Sequence, residues 1–271
     1  MNDIEQICTN MRKDCLIMAE AAGSNGLHFG GTFSMIEITA ALYIMKMNID
    51  EHYFDREDRD RVIISKGHGI PAVYAALHQA GILTDDELKT FKKDNTELSG
   101  HPSMNSRIGI EFSTGSLGMG VSQGIGVSIA LKHKKNEDSK VYVILGDGEC
   151  DEGMIWEAAM SAAKFELDNL IVIIDKNHLQ YDGGTEEIMP LASCDEKWKS
   201  FGWNVLYING HDVEECYSAM CGSYCQPTVI IADTIKGKGI SFMENNASWH
   251  HKQMTRLQMD SAWEELGRSG I

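Results

Sequence analysis

The chain has 271 residues, 43% of them hydrophobic, and a formal net charge of −16. That length accommodates one large α/β domain or two small ones, and the acidity disfavours nucleic acid, whose phosphates need clustered Lys and Arg. Seven cysteines with no C-x-x-C pair do not form a disulfide framework. No apolar run approaches a membrane span and no leader stands at the start, so a soluble cytoplasmic protein with reduced thiols is expected.

Residues 4–22 carry Ile4, Ile7, Met11, Cys15 and Met18 at helical spacing. A Gly-, Ser-, Asn- and His-rich loop over 23–32 leads into a second apolar helix over 34–47. The β-branched run 61–65 predicts a strand. It passes through Lys66-Gly67-His68-Gly69 into a helix over 71–80. Residues 92–118 are long, polar and Gly-rich, a loop length that usually serves function. A helix over 121–134 precedes a βαβ unit: strand 141–145, helix 153–165, strand 169–175. Both strands are continuous apolar runs, as in a parallel sheet covered on both faces. Two further pairs follow, helix 189–201 with strand 204–208 and helix 213–222 with strand 227–233. The pattern predicts one doubly wound, mostly parallel α/β domain over 1–271, flanked by helices, with helical extensions at both ends.

Ligands of such sheets bind off the carboxyl ends of the strands. His68, Asp147, Asn177 and the loop Lys236-Gly237-Lys238-Gly239 all follow predicted strands. In Gly146-Asp147-Gly148 the glycines permit a tight turn and close backbone approach, and the carboxylate suits a hard divalent cation. An acidic strand-to-helix turn that complements a helix N-terminus accounts for the tripeptide equally well. Asn177, thirty positions on, changes the balance. Adjacent strands of a βαβ unit end side by side, so Asp147 and Asn177 can share one ion with phosphate oxygens and water.

Gly-Asp-Gly, about thirty residues, then Asn ahead of Asp182-Gly183 resembles the thiamine-diphosphate motif. The surroundings, with Gly153, Glu157-Ala158 and Asn169-Leu170, resemble transketolase from about residue 28 to 250. That resemblance implies the thiamine-diphosphate-binding fold. It also implies a metal site, Mg2+ or else Ca2+ or Mn2+, made by Asp147, Asn177 and the carbonyl of Leu179. Gly146, Gly148, Asn177, His68, His250 and the loop residues Gly115, Ser116 and Leu117 would hold the cofactor. His28, His68, His101 and His250 would line the cofactor and sugar channel as catalytic groups, since imidazole both binds hydroxyls and moves protons near neutral pH. Glu152 and Glu157 match carboxylates near the contact between active sites, although acidic residues early in a helix need no such role. Tyr181, Met119 and His251 depart from the family pattern, and each bears on substrate preference.

The family's ring-activating glutamate and its sugar-phosphate arginines belong to a later, pyrimidine-binding domain. The resemblance therefore implies a split transketolase of pentose-phosphate type. This chain would bind thiamine diphosphate and transfer a two-carbon ketol unit from a ketose phosphate to an aldose phosphate. A second chain would carry the pyrimidine domain, two of each forming a heterotetramer. The motif at Asp147 also fits a 2-oxo acid dehydrogenase subunit or a deoxyxylulose-phosphate synthase, and a non-catalytic scaffold is a third reading. The blocks at His28, His101 and His250 favour transketolase.

Overall fold

Five strands order the molecule: β1 (Arg61–Ile64), β2 (Val141–Gly146), β3 (Leu170–Lys176), β4 (Asn204–Asn209) and β5 (Thr228–Asp233). The computed structural model describes residues 2–135 and 138–267, with side chains from Ile4 onward. All pairings are parallel, in the order β1-β2-β3-β5-β4. The chain thus runs to the far edge after β3 and returns to insert β5 beside it.

Alternation along each strand divides the core in two. Tyr142 and Ile144 of β2, with Ile171 and Ile173 of β3, face the helices Asn2–Ala22, Ile70–Gln79 and Val213–Met220. Val141, Val143 and Leu145 point the other way, with Val172 and Ile174, toward Met119–His133, Gly153–Lys164 and Cys194–Ser200. A period-2 strand apolar on both faces requires cover on both, and right-handed crossovers supply it. The Tyr142 hydroxyl, buried among apolar groups, donates to the Met220 carbonyl at 3.1 Å.

Every expected strand forms, within two residues of its expected ends. The helices depart more. The stretch 34–47 forms a short helix, Ile36–Ala40, that widens into a π-turn over Ala41–Lys46. Its residues 36–43 are all buried, so apolar periodicity does not report their pitch. The expected helix 189–201 starts only at Cys194. Ala192 adopts a positive φ of 53°, which interrupts any helix begun at 189, and Pro190 holds Met189 before it out of the helical region, at φ −147°. The loop over 23–32 contains a short helix, Phe29–Phe33. Near the end of the chain, Arg256–Glu265 is a helix opened by a capping box between Thr255 and Gln258. Its Met259 and Ala262 are buried, and Trp263 and Leu266 pack against the same core. Among the described residues no helix is long and apolar enough to cross a membrane.

Candidate functional site

The carboxyl ends of β1, β2, β3 and β5 lie side by side, and a cleft of about 320 Å³ opens there. Lys66, His68, Asp147, Asn177, Lys236 and His250 are among its lining residues. Register explains the convergence. Gly146 pairs with Asp175 and Lys176 with Asp233, so the residues just beyond each strand emerge at one level.

Beneath the cleft is Asp175, wholly buried at the end of β3. Its carboxylate accepts from the Lys66 ammonium, from Ser34 Oγ at 2.6 Å, from Thr234 Oγ1 and from Asn177 Nδ2 at 3.0 Å. Burial opposes its ionisation, yet the Lys66 charge and these donors outweigh that and hold its carboxyl below the usual carboxylate range. Because the Asn177 amide nitrogen donates to Asp175, its Oδ1 is left as the acceptor, and it takes the Leu179 N–H at 3.2 Å.

Asp147 ends β2. Its two oxygens accept from the main-chain N–H groups of Gly148, at 2.9 Å, and His178. Burial, and next the nearby Asp175 carboxylate, push its carboxyl up to about 6. A further cation beside Asp147 would reverse that shift. The carbonyl of Leu179 accepts from the Lys236 ammonium at 2.7 Å, so this oxygen already attracts positive charge. Carboxylate, amide oxygen and carbonyl oxygen are the hard donors that Mg2+ or Ca2+ takes, and phosphates complete such spheres. Among the described residues no cluster of three His, Cys, Asp or Glu side chains forms a metal site, so a site here rests on this mixed oxygen set.

The turn at Gly146 is tied to its surroundings by Glu149, which the sequence did not single out. Its buried carboxylate accepts from Ser65 Oγ, from Gly118 N at 2.8 Å and from Gly146 N at 3.1 Å. One side chain thereby joins the end of β1, the Gly-rich loop 114–118 and the Asp147 turn. Gly118 has a φ of 86°, and Glu149 reaches its N–H because that left-handed residue swings it inward. Gly115, Ser116 and Leu117 are exposed on the same loop, and Leu117 lines the cleft. A Cβ on Gly148 would meet Gln180 Oε1 at 2.6 Å, so the turn is packed to the limit of a glycine.

The histidines converge as expected. The ring of His28 lies 5.5 Å from His68, 5.4 Å from His101 and 5.7 Å from His250, and His68 lies 5.0 Å from His250. A fifth imidazole, His251, is closest of all to His28, at 4.3 Å. Close packing of the loop 27–31 makes room for them. A Cβ on Gly31 would fall 2.8 Å from His68 Nε2, and one on Gly30 equally near the Lys236 side chain. Burial lowers the basicity of His28 to about 2, with His251, His250 and His101 adding to the effect. Burial likewise depresses His68 strongly and, with Lys236 and Lys66, brings His250 to about 4. The cluster is therefore neutral at pH 7. Lys236 donates to His250 Nδ1 at 3.1 Å, which leaves the ring proton of neutral His250 on Nε2. Lys236 itself is lowered to about 8 by burial and then by the Lys66 charge.

Lys66 and Lys236 are not identified as site residues by sequence reasoning, although both stand in loops that it marks. Tyr181 is exposed at the rim, its ring 5.1 Å from that of His250. Met119 opens the helix Met119–His133, also exposed. Glu152 and Glu157 are exposed, just before Gly153–Lys164 and along it, and Glu152 lines the same cleft as His68 and His250.

A parallel sheet whose carboxyl ends carry an acidic turn, an adjacent asparagine and two buried lysines defines an α/β protein with a site for an anionic ligand. Comparison with known proteins agrees. The family described as "Transketolase, thiamine diphosphate binding domain" matches residues 5–269. The chain is 41% identical to a 6-deoxy-6-sulfo-D-fructose transketolase subunit of Clostridium sp., over 99% of this chain and 98% of that protein. It is 40% identical to an apulose-4-phosphate transketolase subunit of Phocaeicola vulgatus, over 88% of this chain and 85% of that one. Human transketolase is 33% identical over 97% of this chain but only 42% of its own length. Transketolase from Leishmania mexicana superposes with a TM-score of 0.88 and 30% identity, covering 98% of this chain and 41% of that structure. The chain belongs to the transketolase family, as its N-terminal, thiamine-diphosphate-binding part.

Proposed function

We propose that the chain, acting as a single cofactor-binding unit, is the diphosphate-gripping subunit of a two-chain transketolase. With a partner that carries the pyrimidine-binding domain, it transfers a two-carbon ketol unit from a ketose phosphate to an aldose phosphate. The observation that carries the reading is the convergence, in one cleft, of Asp147, Asn177 Oδ1 and the Leu179 carbonyl with Lys66 and Lys236. Two relatives of nearly equal length are named as transketolase subunits, which supports a partner on another chain. The first of those names gives a sulfonated ketose and the second a phosphorylated sugar, which supports an anionic substrate.

Asp147, Asn177 and the Leu179 carbonyl would hold a divalent ion, Mg2+ by its preference for phosphate-rich oxygen spheres. Lys66 and Lys236 would neutralise and orient the diphosphate, with the turn at Gly146 and Gly148, the Gly115–Leu117 loop and His68 packed against it. Lys236, which donates to the Leu179 carbonyl, would stand beside that ion and is placed to reach phosphate oxygens as well. Bound thiamine diphosphate supplies the nucleophilic carbon that makes and breaks the ketol bond. The neutral imidazoles of His28, His101 and His250 hydrogen-bond the sugar and move protons at its hydroxyl and carbonyl oxygens without repelling the lysines. Exposed Leu117, Met119 and Met154, with Glu152 and Glu157, offer the rim on which a partner docks, in a heterotetramer with two of each chain.

The test is Asp147→Asn in the assembled enzyme. Wild type should bind thiamine diphosphate in a metal-dependent way and transfer ketol units only when the partner is present. Asp147→Asn should weaken metal-dependent cofactor binding at least tenfold by calorimetry, as loss of a charged metal ligand does. Unchanged affinity, or full activity of the isolated chain, refutes the assignment.

A further inference from the structure

The imidazole cluster contains one member, His251, to which no role has been given above. Leu27 and Lys252 form an isolated antiparallel bridge, each N–H donating to the other's carbonyl at 3.1 Å. The bridge sets their neighbours His28 and His251 side by side, with ring centres 4.3 Å apart. His251 is exposed, as is His101, and His68 is the deep end, lining the cleft. The loop beneath is fixed by Lys92, whose ammonium donates to the carbonyls of Asn25 and Gly26 at 3.2 and 2.9 Å. The Asn25 main chain lies within reach of the His251 ring, and burial, then Lys92, lower its basicity.

These contacts specify what His251 offers a ligand. In a neutral imidazole one nitrogen donates and the other accepts. A carbonyl only accepts, so the nitrogen turned to Asn25 carries the proton. The remaining nitrogen is an acceptor with no protein hydrogen-bond partner among the described residues. It suits a hydroxyl, which has a proton to give, and it does not suit a phosphate or sulfonate oxygen.

We propose that His251 is a specificity-determining residue that accepts a hydrogen bond from a hydroxyl of the sugar chain beyond the ketol unit. The inference rests on the ketol-transfer reading above. It divides the labour: this chain reads the substrate's hydroxyls, and its anionic end is held elsewhere.

The experiment uses the assembled two-chain enzyme with His251→Ala and His251→Gln. Donors are a ketose phosphate of five to seven carbons and a three-carbon 3-hydroxy-2-oxo acid, which carries a ketol unit but no distal hydroxyl. One neutral hydrogen bond corresponds to roughly a 3- to 10-fold change in KM. His251→Ala should raise KM for the long ketose by that factor and leave kcat within about twofold. KM for the three-carbon donor and thiamine diphosphate affinity should not change. His251→Gln, whose amide oxygen also accepts, should recover part of the loss. An equal rise for both donors, an unchanged KM for both, or a fall in kcat alone, as expected if His251 only props His28, overturns the inference while leaving ketol transfer intact. A wild-type complex that transfers no ketol unit overturns the underlying reading and this inference with it.

Discussion

Replacing Asp175 by Asn removes the negative charge on which the floor of the cleft is built. The Lys66 and Asp175 side chains are 1% and 0% exposed, so water does not replace the lost partner. Three donors, Lys66, Ser34 and Asn177, share one carboxylate oxygen, and Thr234 uses the other. An amide offers a single acceptor and turns two new protons toward existing donors. Breaking a buried ion pair by removing one partner costs about 3–5 kcal/mol, a large part of a domain stability of roughly 5–15 kcal/mol. Urea unfolding followed by circular dichroism should therefore show the midpoint fall with little change in the slope m. Much of the cost is the stranded ammonium, so in a Lys66→Met background the same substitution should cost only about 1–2 kcal/mol. A loss below about 1.5 kcal/mol in the wild-type background, or equal losses in both, would refute the view that Asp175 is the electrostatic anchor.

Two further substitutions probe neighbouring features. Glu149→Gln must point its amide at one of three donors, Ser65, Gly118 or Gly146. It should cost about 1–3 kcal/mol in thermal or urea unfolding and speed hydrogen exchange at Gly118 and Gly146, and a stability within error of wild type would show that the staple is dispensable. His28 is depressed from 6.5 to about 2 by burial and by His251, His250 and His101. The unfolded chain then binds more protons than the native one below about pH 6.5, so the stability contribution is complete above that pH and drains away as pH falls. One such imidazole contributes up to about 1.4 kcal/mol per pH unit. His28→Gln should flatten the acid limb of the stability curve by that amount between about pH 6 and 4, and an unaltered limb would show that the ring is solvated.

The strands are legible in the sequence because both faces of the sheet are covered, which turns each into an unbroken β-branched run such as Val141 to Leu145. The Asp147 turn and Asn177 are legible because adjacent parallel strands convert a sequence interval of thirty into spatial contact. The pair Lys66–Asp175 is not, since 109 residues separate its members and no periodicity links them. Glu149 is hidden for another reason: in an acidic turn, a carboxylate that bonds three loops looks the same as one that faces water. A helix from 189 follows the apolar residues there and overlooks Pro190. The place of His251 shows in the sequence only as a departure, because its ring contact depends on the bridge between Leu27 and Lys252.

That bridge also dictates when the site exists. It joins a loop near residue 27 to one that follows the last strand, and the imidazoles clustered beside it come from four separate segments between residues 28 and 251. The sheet reaches β5 by residue 233, so the core can assemble while the pocket is still unfinished. Contacts of such long sequence separation form late and slowly, and chains are built from the N-terminus. A nascent chain that stalls after β5 and short of Lys252 would therefore carry the sheet without the bridge that sets His28 against His251.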